Sequence, residues 1–400
     1  MHRNATRLGI VFFFLFFIST SAIAQQKPAS TQSPVAPNAS NEEAIVKRVV
    51  DRIMQPYLSQ AGIPGAIVGV SLHGHRYFFP YGKATDAGAP FTPDTLVEIG
   101  SCTKTFTTTL FSLALNRKQM VADDSAQKYM PSGFTLKSPA QLMTPLELAD
   151  FTSGLPDDPT NLPRGLEQRS IEHYTTKDFL TWVSGWEPAT KLPAPYLYSN
   201  AGVGLLSYLV MTATSKQWEE QLNTEILQPL TMPDTELRPT PEQMKRMAKG
   251  HRANGQDAPP WPIFAWYAAG GLRSTARDMI SFGEANLGHK EVNGKPVSAD
   301  LTAAMQLAQK PIYTLPSGRS KQAMAWVNNL GNGGPNLHPV IVKNGGTVGF
   351  VSVIAISPYK DLAVFVVVNQ VGANPTPKGI EIVRQMPVAV KTTDSPPGSD

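Results

Sequence analysis

Segments with strand patterns lie at the two ends of this 400-residue chain, and a long helical stretch separates them. The apolar, β-branched runs that indicate strands are residues 66–72, 76–81, 340–342, 350–356 and 362–368. From Ser101 to about Asn286 the apolar residues instead repeat mostly with a helical period. Because strands bury their apolar faces by pairing and packing, we predict a mixed α/β (α+β) fold. Its antiparallel sheet is built from both chain ends and flanked by helices, with a mostly helical lobe inserted.

This pattern predicts one domain over residues 42–395. Its sheet lobe comprises about 42–100 and 320–395, and its helical lobe about 101–319. The individual helices are expected over residues 42–60, 142–150, 178–183, 203–212, 218–227, 276–284 and 380–390.

Two turns complete this outline. His73-Gly74-His75 joins the first two strands, and Ser357–Asp361 joins the last two. The two histidines are also candidate metal ligands, but the sequence offers no carboxylate or third histidine close by. We therefore interpret them as exposed turn residues, and no cofactor is expected.

The N-terminus has the features of a cleaved secretory signal over residues 1–24. Arg3 and Arg7 precede an apolar run that is too short to span a bilayer, and Ala22-Ile23-Ala24 fits a cleavage site. The alternative is a retained membrane anchor. Residues 25–41 are rich in Pro, Ser, Ala and Gln, which predicts a disordered leader. We expect a periplasmic protein with no stable membrane span after cleavage.

Charge and cysteine content exclude several classes. The formal net charge of +4 falls by two when Arg3 and Arg7 leave with the signal, so nucleic acid is not an expected partner. Cys102 is the only cysteine, which excludes an internal disulfide. Its thiol is an alternative nucleophile, but no His or Asn motif of a cysteine hydrolase accompanies it.

The first candidate catalytic motif is Ser101-Cys102-Thr103-Lys104, which follows the apolar run LVEIG and opens a helical pattern. Residues three apart are neighbours on a helix, so Lys104 can act on the Ser101 hydroxyl, which needs a base to become a nucleophile. Two more Ser-x-x-Lys matches start at Ser125 and Ser357, in a polar stretch and a turn. The motif therefore acquires meaning only from its companions.

The second motif is Tyr198-Ser199-Asn200, in a loop that leads into an apolar helix. A tyrosine between two ammonium groups can have a lowered pKa and serve as a general base. The Asn200 amide can both donate to and accept from a substrate. Taken alone, the motif is also typical of a helix cap that follows a core tyrosine.

The third motif is Lys343-Asn344-Gly345, which ends the strand-like run VIV and precedes Gly346. A lysine on a strand edge can attract a substrate carboxylate, and the glycines let a substrate backbone approach the strand. The backbone N–H groups of Gly346 and Ser101 can together form an oxyanion hole. Taken alone, the segment is also typical of a β-turn.

In this order and on these elements, the three motifs resemble those of the class C β-lactamases and of their relatives among penicillin-binding DD-peptidases and esterases. The resemblance covers about residues 45–390. Its segments include LVEIGSCTKTF, LELADFTSGLP, YLYSNAGVGLLSYL, AAGGLRSTARDM and KNGGTVGFVSVIAISPYKDLAVFVVVNQ.

The resemblance implies a role for each motif residue. Ser101 would be the acylated nucleophile, Lys104 its proton relay and Tyr198 the general base. The substrate-binding residues would be Asn200, Lys343, Asn344, Gly345 and Gly346. The substrate would be a β-lactam amide, and attack by Ser101 would produce an acyl-enzyme. The protein is expected to be a monomer.

Several positions depart from the class C pattern and leave the substrate open. Val97, Cys102 and Thr103 differ around the nucleophile, and Asn344 replaces a threonine. Gly270 stands where a tyrosine is usual. The alternatives are a periplasmic D-alanyl-D-alanine carboxypeptidase or endopeptidase that acts on a peptidoglycan stem peptide, an esterase, and a sensor that is acylated only once.

Overall fold

The computed structural model describes residues 39–162, 171, 173–331 and 338–388. The expected signal peptide, most of the leader and the end of the expected closing helix lie outside these residues. Within them, no helix has both the length and the apolar character needed to cross a bilayer.

Twelve strands occur in the described ranges, and eight of them form the main sheet. They are β1 (Gly65–Leu72), β2 (His75–Gly82), β3 (Val97–Glu98), β4 (Arg273–Ser274), β5 (Glu291–Val292), β6 (Lys295–Pro296), β7 (Tyr313–Thr314), β8 (Ser320–Gln322), β9 (Val327–Asn329), β10 (Val340–Gly346), β11 (Val351–Ser357) and β12 (Leu362–Val368). The main sheet has the order β2-β1-β12-β11-β10-β9-β8-β7, and every neighbouring pair is antiparallel. β1 pairs directly with β12, which confirms the prediction that the two chain ends share one sheet.

The helices surround this sheet and fill the middle of the chain. They are α1 (Ala39–Ala61), α2 (Thr103–Asn116), α3 (Pro145–Asp150), α4 (Thr176–Gly185), α5 (Asn200–Thr214), α6 (Trp218–Gln221), α7 (Gln228–Leu230), α8 (Pro241–Met244), α9 (Ala276–Leu287), α10 (Ala299–Gln309) and α11 (Thr376–Gln385). A π-helical stretch over Leu222–Leu227 joins α6 to α7.

Both faces of the central strands are buried, which explains why β12 reads as the unbroken apolar run LAVFVVV. Along β12, Val364 and Val366 pack in a cluster with α1 and α11, whereas Phe365 and Val367 pack in the larger core that contains α2 and α9. Full burial of such side chains contributes about 1.5–3 kcal/mol each. A strand with one wet face would have shown alternating polar residues.

Glycines bring α9 unusually close to the sheet. A Cβ atom at Gly69 of β1 would lie 2.8 Å from the Ile280 side chain, and one at Gly283 would lie 2.8 Å from Cβ of Ala363. A helix from the middle of the chain therefore covers the sheet that the chain ends form.

The closing helix begins four residues and ends five residues earlier than predicted, at Thr376–Gln385 rather than 380–390. Pro377 is tolerated in the first turn, where its missing N–H costs nothing. At the other end Met386 precedes Pro387 and has an extended backbone, as the residue before a proline prefers. The apolar run after Pro387 had suggested a longer helix.

The two hairpin histidines are exposed, as predicted, but a carboxylate that the sequence did not reveal lies beside them. His75 Nδ1 is 2.8 Å from Glu42 of α1, and His73 Nδ1 is 3.8 Å from the same carboxylate. Partial burial raises the pKa of Glu42, but hydrogen bonds from His75 and Tyr77 outweigh it and leave the pKa lowered. These contacts fasten α1 to the hairpin.

Candidate active site

Ser101 lies in a single 3₁₀ turn, Gly100–Cys102, which leads directly into α2. Gly100 has a φ of +50°, and a Cβ atom there would lie 2.6 Å from the backbone N of Gly346. Only glycine combines this left-handed backbone with so close an approach. The turn thus seats the nucleophile segment against the end of β10.

Lys104 lies one turn after Ser101 and its side chain is completely buried. Its Nζ is 3.1 Å from Ser101 Oγ, 2.5 Å from Asn200 Oδ1 and 2.7 Å from the carbonyl oxygen of Ala269. Burial, and secondarily the charge of Lys343, lowers the pKa of Lys104 well below its usual value. The lowered pKa favours the neutral amine, which is the form that can accept a proton.

Tyr198 lies between two lysines. Lys104 Nζ and Lys343 Nζ are each 4.8 Å from the centroid of its ring. Burial nevertheless raises the pKa of Tyr198, and a hydrogen bond with Ser101 opposes that effect. Burial of the phenol therefore outweighs the lowering of the Tyr198 pKa that two neighbouring ammonium groups were expected to produce.

The loop before α5 fixes both Tyr198 and Asn200. Ser199 caps the helix by accepting from the N–H of Gly202, and its hydroxyl donates to the carbonyl oxygen of Pro156 at 2.6 Å. Just before it, the N–H of Leu197 donates to the carbonyl oxygen of Phe151. The helix-cap interpretation therefore applies to Ser199, and the cap itself holds the neighbouring Tyr198 and Asn200 in place.

The end of β10 forms one wall of the site. Its pairing with β9 stops at Val342, whereas its pairing with β11 continues to Gly346. The β9 side of Lys343–Gly346 is consequently left without a strand partner in the described part of the chain. Burial lowers the pKa of Lys343 to about 8. A substrate backbone can add to such an edge as a further strand.

The four residues predicted on this strand divide between its two faces. Lys343 shares a face with Ile341, which belongs to the core that contains α2. Gly345 faces the nucleophile, since a Cβ atom there would lie 2.7 Å from the backbone N of Ser101. Asn344 is exposed and by alternation faces the other side. The structure thus brings Lys343 and Gly345 to the site but directs the Asn344 side chain away.

A cavity of about 320 Å³ opens onto Ser101. The residues that line it are Ser101, Asp157, Asp158, Ile171, Asn200, Trp261, Phe264, Trp266, Gly270, Gly346, Thr347 and Val348. Sequence reasoning identified Ser101, Asn200 and Gly346 among them. It missed the two aspartates and the three aromatic residues, although the acids directly follow the segment LELADFTSGLP.

Glu98 is almost fully buried and hydrogen-bonds to residues that line the cavity. Its carboxylate accepts from Thr347 Oγ1 and from the backbone N–H of Trp261, each at 2.6 Å. Arg273 Nη2 lies 3.8 Å from it. Burial raises the pKa of Glu98. One side chain therefore joins the nucleophile segment, the end of β10 and the aromatic wall.

The alternative nucleophile Cys102 and the two other Ser-x-x-Lys sequences make contacts that stabilise the fold. Cys102 is fully buried with its thiol near Ser352, and burial raises the pKa of that thiol, which disfavours it as a nucleophile. Ser125 caps a short 3₁₀ turn, and Lys128 pairs with Asp124. Lys360 donates to backbone carbonyls at the end of α11.

One group of possible metal ligands lies among the described residues, at Asp86, His251 and Asp257. Lys249 Nζ is 2.5 Å from Asp257 and 3.8 Å from Asp86, so an ammonium group already pairs with these carboxylates. None of the three residues lines the cavity at Ser101.

Comparison with known proteins identifies the family. A sequence model of the β-lactamase family matches residues 50–384. The chain belongs to the β-lactamase family. A curated β-lactamase of Escherichia coli (strain K12) is 30% identical over 375 residues, which cover 87% of this chain and 93% of the relative. A β-lactamase of Lysobacter lactamgenus is 26% identical and covers 90% of this chain and 93% of its own length.

Solved structures agree on the fold. A class C β-lactamase superposes with a TM-score of 0.76 at 23% identity and covers 88% of this chain and 99% of its own. A β-lactamase/D-alanine carboxypeptidase from Pseudomonas syringae superposes with a TM-score of 0.73 at 22% identity, covering 86% and 99%. The family resemblance and the fold class predicted from the motifs are both confirmed.

Proposed function

We propose that this protein is a serine β-lactamase that hydrolyses the β-lactam amide through an acyl-enzyme on Ser101. The observation that carries the proposal is the 3.1 Å contact between Ser101 Oγ and the amine of Lys104, which is fully buried and whose pKa burial lowers. The contact lies at the start of a helix and opens onto a cavity. Family membership and the curated β-lactamase relatives support it.

Lys104 and Tyr198 act together in the proposed proton transfer. Ser101 Oγ attacks the lactam carbonyl carbon while its proton passes to the Lys104 amine. The lactam C–N bond breaks, and the leaving nitrogen takes a proton from the Tyr198 hydroxyl, which Lys104 then reprotonates. In deacylation the same pair removes a proton from water, and the water oxygen displaces Ser101 Oγ from the acyl carbon.

The backbone and the remaining motif residues would hold the substrate. The N–H groups of Ser101 and Gly346 are placed on two segments that approach within van der Waals distance, and they serve as the oxyanion hole. Asn200 accepts from Lys104 through Oδ1 and donates one Nδ2 hydrogen to Asp158, so its second Nδ2 hydrogen would donate to the substrate. Lys343 attracts the substrate carboxylate.

The wider setting follows from the N-terminal sequence and the family. We infer that the mature chain acts in the periplasm as a monomer on a small-molecule substrate, without nucleic acid. The small volume and the polar and acidic lining of the cavity suit a small polar ligand, and the net charge of +4 is too small for a nucleic-acid surface.

The test is hydrolysis of a chromogenic cephalosporin by the purified protein. Wild type is expected to turn over, and Ser101→Ala is expected to lose both turnover and the covalent mass adduct. Ser125→Ala, which alters the second Ser-x-x-Lys sequence, is the matched control and is expected to behave as wild type. Absence of turnover in the wild type would refute β-lactamase activity.

A parallel measurement distinguishes the peptidase alternative. A β-lactamase releases its penicillin adduct quickly, whereas a D-alanyl-D-alanine peptidase remains acylated. Intact-protein mass spectra followed over time, beside D-alanine release from a stem peptide, report the two outcomes. A persistent adduct together with D-alanine release would favour the peptidase.

A further inference from the structure

Two aspartates form the end of the cavity beyond Asn200. The backbone N–H of Asn200 lies 3.3 Å from Asp157 Oδ1, and its side-chain Nδ2 lies 3.4 Å from Asp158 Oδ1. Asn200 Oδ1 meanwhile faces Lys104. Asn200 therefore separates the end of the site that holds the two lysines, Lys104 and Lys343, from an acidic end at Asp157 and Asp158.

No direct cationic partner of the two carboxylates occurs in the part of the chain that the structure describes. Within the described ranges, no lysine, arginine or histidine nitrogen forms an ion pair with either of them, although 18 ion pairs occur elsewhere. Asp157 is exposed and Asp158 is half-buried. Burial raises the pKa of Asp158 to about 6, so its carboxyl group is still mostly ionised at pH 7. The charge at this end of the cavity is available to a ligand.

Aromatic rings complete the same end of the cavity. Trp266 hydrogen-bonds to Asp158, and its ring centroid lies 4.9 Å from that of Phe264. Trp261 packs against Phe264 at 5.7 Å. Carboxylates beside aromatic faces are the combination that recognises an organic cation, through charge attraction and cation–π contact. A negatively charged acyl group would be repelled here.

We propose that Asp157 and Asp158 select substrates whose acyl side chain carries a protonated amine near the scissile carbonyl. The inference rests on the proposed function. With Asn200 on the substrate amide and Lys343 on the substrate carboxylate, the acyl side chain extends toward the two aspartates. The site is thus dipolar and matches a zwitterionic substrate, either an amino-substituted penicillin or a peptide with a free terminal amine.

A different role for the acids predicts a different result. Asp157 and Asp158 also raise the pKa of Lys104 by charge attraction, so they can act on the reaction through that amine alone. Such tuning would change the rates of all substrates together. Selection for an amine would change the ratio between substrates that differ only in that amine.

Ampicillin and benzylpenicillin form such a pair, because they share a penicillin nucleus and phenyl ring and differ by one amino group. We expect the wild type at about pH 7 to prefer ampicillin in kcat/KM. Asp157→Asn and Asp158→Asn are each expected to lower this ratio about threefold to tenfold. The benzylpenicillin value should change by less than about twofold. Asp123→Asn removes an exposed charge elsewhere and is the matched control.

A second pair identifies the source of the amine. D-Alanine p-nitroanilide and its N-acetyl form differ by the same charge in a peptide-like substrate. Preference for the free amine in this pair alone would identify peptides as the source, and preference only among the penicillins would identify the antibiotic.

The outcomes separate the two proposals. Equal rates within both pairs in the wild type, or a parallel loss for both members in the variants, would overturn the selection of amines alone. Failure of both penicillins to acylate Ser101, seen by intact mass, would overturn the proposed function and this inference with it.

Discussion

Thr347 Oγ1 donates a 2.6 Å hydrogen bond to the buried carboxylate of Glu98, across a sequence separation of 249 residues. This bond joins the end of β10 to the segment that carries Ser101. The same carboxylate accepts from the Trp261 N–H and lies 3.8 Å from Arg273. The geometry of the cavity therefore depends on one acid that touches no substrate.

Glu98→Ala is expected to destabilise the protein by about 3 kcal/mol, because it leaves Arg273 buried without its acidic partner. Glu98→Gln keeps a hydrogen-bond acceptor and removes only the charge, so its loss should be smaller. Urea unfolding of the two variants beside wild type measures the difference. A decrease of less than about 0.5 kcal/mol in the free energy of unfolding of the alanine variant would show that the contacts of Glu98 contribute little to stability.

Lys104→Ala is expected to lower kcat/KM for a cephalosporin by about a thousandfold or more, since the amine that accepts the Ser101 proton is removed. Combining it with Tyr198→Phe should cost little more, because the two groups act as a unit. Lys128→Ala alters the same sequence motif at a surface ion pair and should leave turnover unchanged. Full additivity of the first two losses would argue against a shared proton path.

The architecture could be predicted from the sequence where the packing of an element produces a pattern of apolar residues long enough to recognise. The runs that became β1, β11 and β12 are buried on both faces, so their apolar content was plain. Strands β7 to β9 contain only two or three residues each at the sheet edge, which is too short for periodicity to appear. Helix α10, although it has 11 residues, was also not among the helices predicted from the sequence.

The site could be predicted only as far as its motifs. Ser101, Lys104 and Tyr198 belong to short patterns with a chemical reason for their spacing. Asp157 and Asp158 lie on a loop, where no periodicity marks a residue that faces a cavity. The raised pKa of Tyr198 could not be predicted either, because it depends on how deeply the fold buries the phenol.

Lys343 predicts an alkaline limit for substrates that carry a carboxylate. Burial lowers its pKa to about 8, so the side chain is cationic below that pH and loses its charge above it. KM for such substrates should therefore rise as the pH passes through about 8. In Lys343→Ala this rise should disappear, and KM should be high throughout. Steady-state profiles from about pH 6 to 10 provide the measurement, and an unchanged alkaline limb in the variant would assign the limit to another group.

Removal of the Lys343 charge should also shift the acid limb of the pH profile of kcat/KM. That charge contributes to the lowered pKa of Lys104, so Lys343→Ala should raise the Lys104 pKa and move the acid limb of kcat/KM to higher pH. Lys343→Gln is a conservative companion that removes the same charge and keeps more of the side-chain volume. An acid limb that moves to lower pH in both variants would contradict the coupling.

Two adjacent glycines of β10 should respond very differently to an added methyl group. At Gly345 a Cβ atom would lie 2.0 Å from the carbonyl oxygen of Ile99 and 2.7 Å from the backbone N of Ser101, so the strand or the nucleophile turn must shift. At Gly346 a Cβ atom would meet nothing within 4 Å. Gly345→Ala is therefore expected to lower Tm by roughly 5 °C or more, and Gly346→Ala to change it by less than about 2 °C. Differential scanning calorimetry measures the Tm of both variants. Equal Tm values would contradict the close contact of Gly345 with the Ser101 turn.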